Sequence, residues 1–154
     1  MNELSSQVLL TLSGKTLVTA ESCTGGGIGA ALTAVPGSSA VYQGGVICYS
    51  NWVKENVLGV SREVLIQHGA VSGPVAGCLA SGVRKLLKAD LAVSVTGLAG
   101  PSGDDFGNPV GTVYIGYESQ SESDVRKYCF SGDRDAVREE AVRAALQLIL
   151  EHQK

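Results

Sequence analysis

Ser22 is the residue whose type and position most favour nucleophilic chemistry. It follows the short β-branched segment 15–20 and lies just before three consecutive glycines, Gly25–Gly27. A strand that ends in a tight glycine-rich turn exposes a hydroxyl and leaves backbone N–H groups free to stabilise an oxyanion or hold a phosphate. The local sequence is equally compatible with a second interpretation, in which Ser22 and Thr24 only cap the following helix.

Cys23 is the rival nucleophile, because a thiol at a helix N-terminus can have a lowered pKa. A histidine would be its natural partner, and the chain has only His68, at a predicted helix end, and His152, near the C-terminus. Both are predicted to be surface residues, so a Ser-His-Asp or Cys-His arrangement is poorly supported. The remaining cysteines are predicted to be inert core thiols: Cys48, Cys78 and Cys129.

Lysine is the remaining type of base. Ser50 and Lys54 lie four residues apart, directly after Tyr49 at a predicted strand end, and so share a helix face. A lysine can act as a general base when burial and nearby positive charge lower its pKa enough to leave a neutral amine. An exposed lysine on a short helix is the alternative interpretation.

Arg134 lies in the first turn of the predicted C-terminal helix, where the helix dipole disfavours a cation. The neighbouring Asp133 and Asp135 partly explain this position. A phosphate shared by helix N–H groups and the guanidinium would explain it better, and Arg138, one turn further on, is predicted to face the same side.

Composition argues against several other functions. The net charge is −3 and the basic residues are dispersed, which argues against nucleic-acid binding. No apolar run is long enough for a transmembrane helix, and the N-terminus lacks the features of a signal peptide, so a cytoplasmic protein without membrane contact is expected. The cysteines form no close pair and companion histidines are few, so no metal site is predicted. No other cofactor is expected.

The elements that position these residues alternate between strands and helices. Strands are predicted at 15–20, 45–49, 90–96, 111–117 and 125–130, and helices at 2–13, 28–33, 51–58, 61–68, 72–88 and 134–151. This order predicts one α/β domain over residues 1–154, a three-layer α/β/α fold. Its sheet is expected to be mixed and mostly parallel, with one antiparallel hairpin formed by the last two strands.

Two glycine-rich loops leave the ends of predicted strands, one after Ala20 and one after Thr96. In open α/β sheets, ligands bind at the C-terminal ends of the parallel strands. A single pocket between these two loops is therefore predicted.

Several motifs occur together, in one order, along nearly the whole chain. They are Ala20–Gly26, Pro36–Ser39, Tyr49–Asn51 with Lys54, His68–Ser72, Thr96–Pro101, Pro109–Val113 and Gly132–Arg134. In this combination the sequence resembles the CinA C-terminal domain family. It departs from the family pattern at Trp52-Val53, where a small or acidic pair is usual, and at Gly73-Pro74. The indole of Trp52 is expected either to reshape the pocket or to cover a subunit contact.

Members of this family with an assigned activity are nicotinamide-nucleotide amidohydrolases, which convert nicotinamide mononucleotide to nicotinate mononucleotide and ammonia without a metal. The resemblance implies the same activity here, with Ser22 as the nucleophile and with Lys54 and Tyr49 as proton-transferring partners. It also implies active-site roles for Ser39, for Thr96 and for an arginine of the segment Gly132–Arg134.

The expected chemistry is attack of the Ser22 hydroxyl on the carboxamide carbon. The expected oxyanion donors are the backbone N–H groups of the turn and the Thr96 hydroxyl; the turn residues concerned are Thr24, Gly25 and Gly26. The 5′-phosphate of this pyridine nucleotide is expected near Arg134 or Arg138.

Two alternatives stay open, a catalytically silent nucleotide-binding member of the family and a thiol hydrolase acting through Cys23. Self-association into a homo-oligomer through flat apolar helix faces is also left open.

Overall fold

The computed structural model describes all 154 residues. The strands are β1 (Leu17–Glu21), β2 (Tyr42–Ile47), β3 (Leu91–Gly97), β4 (Thr112–Glu118) and β5 (Ser123–Cys129). The helices are α1 (Asn2–Thr11), α2 (Gly27–Thr33), α3 (Asn51–Asn56), α4 (Arg62–His68), α5 (Gly73–Leu87) and α6 (Arg134–Glu151). A 3-10 turn, Ser38–Ala40, precedes β2. None of the helices has the length and apolarity needed to cross a membrane.

The strands form one mixed sheet in the order β2-β1-β3-β4-β5. Strand β1 pairs in parallel with β2 and β3, whereas β4 is antiparallel to both β3 and β5. Strand β4 alone therefore runs against the others, which confirms the predicted mixed, mostly parallel sheet and its final hairpin. At the C-terminal end of β1, Glu21 is paired with Ile47 and with Val95, so the loops that follow β1, β2 and β3 leave the same edge.

Helices cover both faces of the sheet, which confirms the three-layer prediction. Leu17 of β1 packs into a core formed with α1, α2 and α6, and Val18 packs into a second core formed mainly with α5. Because the central strands β1 and β3 are buried along nearly their whole length, they consist almost entirely of apolar and small residues.

Strand β2 begins earlier than predicted, at Tyr42 rather than at Gly45. Two adjacent glycines, Gly44 and Gly45, interrupt its apolar pattern. The glycine at position 45 has a packing reason, since a Cβ atom there would lie 2.6 Å from the carbonyl oxygen of Thr19 in β1. An edge strand with half-exposed residues also carries a weaker hydrophobic signal than the central strands.

His152 ties the end of α6 to the turn of the β4–β5 hairpin. Its ring nitrogens lie 2.5 Å from Glu122 Oε2 and 2.9 Å from Asp124 Oδ2, and the ring stacks on Tyr117 at a centroid distance of 4.2 Å. The prediction of a surface residue is wrong for His152, because Tyr117, Glu122 and Asp124 cover its ring. His68 is exposed, as predicted.

Replacing His152 by glutamine is expected to destabilise the fold in a pH-dependent way. Burial disfavours the charged ring, but hydrogen bonds that the ring donates to Asp124 and Glu122 outweigh this effect and raise the pKa of His152 above its ordinary 6.5. A pKa raised on folding stabilises the protein fully below the unfolded value and loses this effect as pH rises through the folded value. We expect a Tm loss of about 2–4 °C near pH 6, as for roughly 1 kcal/mol in a domain of this size.

Thermal unfolding of the wild type and of His152→Gln, measured from about pH 6 to pH 9, tests this prediction. His68→Gln is the matched control, because the exposed His68 forms no ion pair. A Tm difference for His152→Gln that stays constant over this pH range would contradict the charged interaction.

Candidate active site

The turn that carries Ser22 begins where β1 ends. The Ser22 N–H donates to the carbonyl oxygen of Val95 at 2.9 Å, and the Gly25 N–H closes the turn on the Ser22 carbonyl oxygen at 3.1 Å. Gly25 and Gly26 have φ values of +58° and +103°, a region that favours glycine. The chain therefore reverses directly after Ser22, and helix α2 starts immediately beyond the turn.

Lys54 reaches Ser22 from helix α3. The Ser50 hydroxyl begins this helix by accepting the Val53 N–H, and Lys54 points into the protein with 1% of its surface exposed. Its Nζ atom lies 3.0 Å from Ser22 Oγ. The same atom donates to the carbonyl oxygens of Cys48 at 2.6 Å and Tyr49 at 3.3 Å. The predicted pair of Ser22 and Lys54 is thus in direct contact.

Burial shapes the protonation of Lys54. Desolvation lowers the pKa of its amine below the ordinary 10.5, and no carboxylate forms an ion pair with it to offset this effect. A neutral amine has two hydrogens, which the two carbonyl oxygens can accept, and one lone pair. With those contacts made, the lone pair is free to face the Ser22 hydroxyl, as a general base requires.

A cavity of about 350 Å³ opens beside this pair, a size typical of small-molecule sites. It lies between the two glycine-rich loops, where the pocket was predicted. Its lining comprises Ser22, Cys23, Tyr49, Asn51, Lys54, Ala70, Val71, Thr96–Ser102 and Arg134. Asn51 and Ala70–Val71 belong to motifs that carry the family resemblance, but sequence reasoning gave them no place in the pocket.

Thr96 lies at the end of β3 and lines the cavity, but its hydroxyl donates to the Ala70 carbonyl oxygen at 2.8 Å. Its proton is therefore already engaged in this arrangement. The backbone N–H groups of Cys23 and Thr24, in contrast, make no hydrogen bond within the chain. Both donors follow Ser22 directly in the chain, and Cys23 also lines the cavity, so they are candidates for stabilising a developing oxyanion. Of the other expected donors, the Gly25 N–H is bound to the Ser22 carbonyl oxygen, and neither Gly25 nor Gly26 lines the cavity.

Arg134 and Arg138 of α6 have different partners. Arg138 donates to the carbonyl oxygens of Cys23 at 3.0 Å and Thr24 at 3.2 Å, and so holds the turn. Arg134 lines the cavity and donates to the Gly100 carbonyl oxygen at 2.6 Å and to the Tyr49 hydroxyl at 3.2 Å. Arg134 is therefore the arginine that a ligand in the cavity can contact.

Tyr49 and Ser39 are placed differently from Ser22 and Lys54. The Tyr49 side chain is 62% exposed, and its hydroxyl contacts Arg134 rather than Lys54 or Ser22. Ser39 precedes β2 and is exposed at the opposite edge of the sheet. Because β2 runs parallel to β1, the length of a strand, roughly 15–20 Å, separates Ser39 from the cavity. The expected role of Ser39 in the pocket is not supported within one chain.

Cys23 lines the cavity but is poorly suited to act as a nucleophile. Only 6% of its surface is exposed, and burial raises the pKa of its thiol to about 11. The expectation of a lowered pKa at this position is therefore wrong. Among the predicted core thiols, Cys48 is buried, Cys78 is half-buried and Cys129 is exposed, because it points outward from the edge strand β5.

Trp52 does not line the cavity, and 67% of its surface is exposed. It lies two residues before Lys54 on α3, so the helix turns it away from the site. The indole therefore takes no part in lining the cavity, and the expected role at a subunit contact stays a prediction.

Glu21 is a component of the site that sequence reasoning missed. Its carboxylate caps α2 by accepting the N–H groups of Ile28 at 2.8 Å and Gly29 at 3.0 Å. The interpretation in which Ser22 and Thr24 cap this helix is therefore wrong. A charged residue at the end of an otherwise apolar strand, next to the candidate nucleophile, was the signal available in the sequence.

Comparisons with known proteins agree with this geometry. The model of the CinA C-terminal domain matches residues 2–153. Nicotinamide-nucleotide amidohydrolase PncC of Escherichia coli K12 is 47% identical over 150 residues, which cover 96% of this chain and 91% of PncC. A CinA superfamily protein from Klebsiella pneumoniae superposes with a TM-score of 0.96 at 38% identity, covering 99% of this chain and 96% of that one. A competence or damage-inducible protein from Enterobacter asburiae gives a TM-score of 0.97 at 35% identity, with coverages of 99% and 98%. The chain therefore belongs to the CinA C-terminal domain family.

Proposed function

We propose that this protein is a nicotinamide-nucleotide amidohydrolase that converts nicotinamide mononucleotide to nicotinate mononucleotide and ammonia. The observation that carries the proposal is the 3.0 Å contact between the buried amine of Lys54 and the Ser22 hydroxyl, beside a cavity with an arginine. The 47% identity to PncC, a nicotinamide-nucleotide amidohydrolase, supports the substrate class.

In the first half of the reaction, neutral Lys54 accepts the proton of the Ser22 hydroxyl as its oxygen attacks the carboxamide carbon. The C–O bond forms, and the carbonyl oxygen takes the negative charge beside the N–H groups of Cys23 and Thr24. When this intermediate collapses, the C–N bond breaks and the leaving nitrogen receives the proton from Lys54. Ammonia departs and leaves an ester between the substrate acyl group and Ser22.

In the second half, water takes the place of ammonia. Lys54 accepts a proton from the water as its oxygen attacks the ester carbon, and the same N–H groups receive the oxyanion. The bond to Ser22 then breaks, and Lys54 returns the proton to the serine oxygen. The products are nicotinate mononucleotide and the free enzyme, so one base serves both steps.

Other assignments remain predictions. Proton transfer by the Tyr49 hydroxyl requires it to leave Arg134, and oxyanion binding by Thr96 requires it to leave Ala70. A catalytically silent nucleotide-binding protein is not favoured, because Trp52, the residue that suggested it, lies outside the cavity. A cytoplasmic location and a homo-oligomeric state also stay predictions.

Ammonia release from nicotinamide mononucleotide, measured with a coupled glutamate dehydrogenase assay, tests the proposed activity. Formation of nicotinate mononucleotide in equal amount, followed by chromatography, establishes that the carboxamide is the bond cleaved. A protein that binds the nucleotide but releases no ammonia would contradict the proposal and support a binding function.

Arg134→Ala is expected to raise KM for nicotinamide mononucleotide about 10–100-fold with little change in kcat. The guanidinium faces the cavity, and loss of one charged hydrogen bond to a phosphate costs roughly 1.5–3 kcal/mol of binding energy. Nicotinamide riboside lacks the phosphate, so its KM is expected to be the same for wild type and variant. Steady-state kinetics on both substrates provides the comparison.

Arg143→Ala is the matched control, because Arg143 lies on the same helix and only approaches Glu139 and Glu140, at 3.8 Å and 3.7 Å. It should leave both KM values unchanged. An equal rise of KM for nucleotide and riboside in Arg134→Ala would show that Arg134 shapes the cavity and does not bind the phosphate.

A further inference from the structure

The reaction described above leaves the carboxylate of Glu21 without a role. Glu21 directly precedes Ser22, and 2% of its surface is exposed. Four donors converge on it: the Thr24 hydroxyl at 2.7 Å and the Ile28 N–H at 2.8 Å on Oε1, and the Gly29 N–H at 3.0 Å and the Thr19 hydroxyl at 3.2 Å on Oε2. A buried carboxylate with this many donors is a specific feature of the fold.

No basic side chain pairs with this carboxylate. A buried charge without a counter-ion is stabilised only by well-aligned hydrogen bonds, so the donors must stay in this arrangement. Two of them are the second and third N–H groups of α2, whose own N-cap residue, Gly26, supplies no side chain. Glu21 therefore fixes the start of α2 relative to the end of β1. The turn that carries Ser22 connects these two ends.

Thr24 links the carboxylate to the turn itself. Its side chain is buried and does not line the cavity, because its hydroxyl is directed to Glu21. Its carbonyl oxygen is held by Arg138 at 3.2 Å. With side chain and carbonyl both held, the Thr24 N–H can take few orientations, and this N–H is one of the unpaired donors beside Ser22.

We propose that Glu21, acting through the Thr24 hydroxyl, is a positioning residue that holds the nucleophile turn in the geometry needed for acyl transfer. The proposal rests on the function proposed above. Glu21 touches neither the cavity nor the reacting atoms. It acts by fixing the positions of the Ser22 hydroxyl oxygen and of the adjacent N–H groups. A displacement of about 1 Å at such groups is enough to slow a reaction substantially.

Thr24→Val and Thr24→Ser form the central test, since valine keeps the shape and loses the hydroxyl, whereas serine keeps the hydroxyl. We expect Thr24→Val to lower kcat about tenfold or more with KM and the Kd of nicotinate mononucleotide unchanged, and Thr24→Ser to recover most of that loss. Thr33→Val, which removes a hydroxyl bound to the Gly29 carbonyl oxygen of the same helix, should keep the wild-type kcat.

Glu21→Gln supplies the second arm. All four groups around the Glu21 carboxylate are hydrogen-bond donors. In Glu21→Gln the amide NH₂ replaces one of the accepting oxygens and faces donors, so this variant is expected to lower kcat as well. If Glu21 acts through Thr24, the double variant Glu21→Gln/Thr24→Val should lose no more kcat than Glu21→Gln alone. A kcat loss in the double variant equal to the product of the two single losses would contradict the proposal. A wild-type kcat in Thr24→Val would also contradict it.

The rate at which a fluorophosphonate labels Ser22, followed by intact mass, gives a readout that does not depend on the substrate. Labelling should slow in Thr24→Val and recover in Thr24→Ser, at temperatures well below the Tm of each protein. If the wild type releases no ammonia, the proposed amidohydrolase fails, and the labelling rates still decide whether Glu21 and Thr24 position Ser22. Equal labelling rates in all variants would overturn the positioning role.

Discussion

Ser22→Ala is expected to lower kcat for ammonia release by about 10³-fold or more while nicotinamide mononucleotide still binds. The hydroxyl is the atom that forms the covalent bond, and Lys54 has no other hydroxyl within hydrogen-bond distance to activate. Removing one small oxygen leaves Arg134 and the loop walls of the cavity in place, so ground-state binding should persist. Single-turnover kinetics together with calorimetric titration of the nucleotide separates the two effects.

Cys23→Ala distinguishes serine from thiol chemistry at the same turn. The thiol is buried and its pKa is raised to about 11, so little thiolate is present at neutral pH, and this variant is expected to keep most of the wild-type kcat. An active Ser22→Ala protein combined with an inactive Cys23→Ala protein would replace the serine mechanism by a thiol mechanism.

The layout of the site was predictable because it follows from strand direction. The C-terminal ends of parallel strands meet at one edge, so the loop after β1 and the loop after β3 had to lie together, and the cavity lies between them. The contact between Ser22 and Lys54 follows from the same geometry, since β2 ends at that edge and the Ser50 cap begins α3 there. Residues on successive strand ends can thus be assigned to one site from sequence.

Side-chain partners across elements were not predictable in the same way. His152 was expected to be a surface residue, yet its ion-pair partners come from the turn before β5 and from the start of β5, about 30 positions away in the chain. Only the packed fold brings these residues together. Ser39 was assigned to the pocket through a family motif, which carries no information about the edge of the sheet at which it lies. The role of Glu21 depends on the N–H directions of α2, which no spacing of residue types encodes.

Lys54→Met is expected to lower kcat/KM by about 10²–10⁴-fold, the usual contribution of a general base. Methionine has nearly the same length and fills the same buried volume, but it cannot accept the Ser22 proton. Lys54→Arg should be no better, because a guanidinium stays protonated at any working pH. Lys85→Met, on the exposed side of α5, is the control for loss of one positive charge.

The pH profile identifies the active form of Lys54. Only the neutral amine can take the serine proton, so kcat/KM should rise with pH and level off above the Lys54 pKa. Because burial lowers that pKa below 10.5, the plateau should begin at a lower pH than an exposed lysine would allow. A rate that falls as pH rises through this range would mean that the ammonium form is the active one.

The same lowered pKa has a consequence for stability that does not depend on activity. Between the folded pKa of Lys54 and 10.5, the unfolded chain binds the proton that the folded protein has lost. Stability increases with pH wherever the unfolded state binds more protons, so this residue makes the wild type more stable as pH rises through that window. Lys54→Met lacks the titrating group, and its Tm should rise less over the same pH range. Parallel Tm curves for the two proteins would show that folding does not shift the Lys54 pKa, and the base would then have to be sought elsewhere in the cavity.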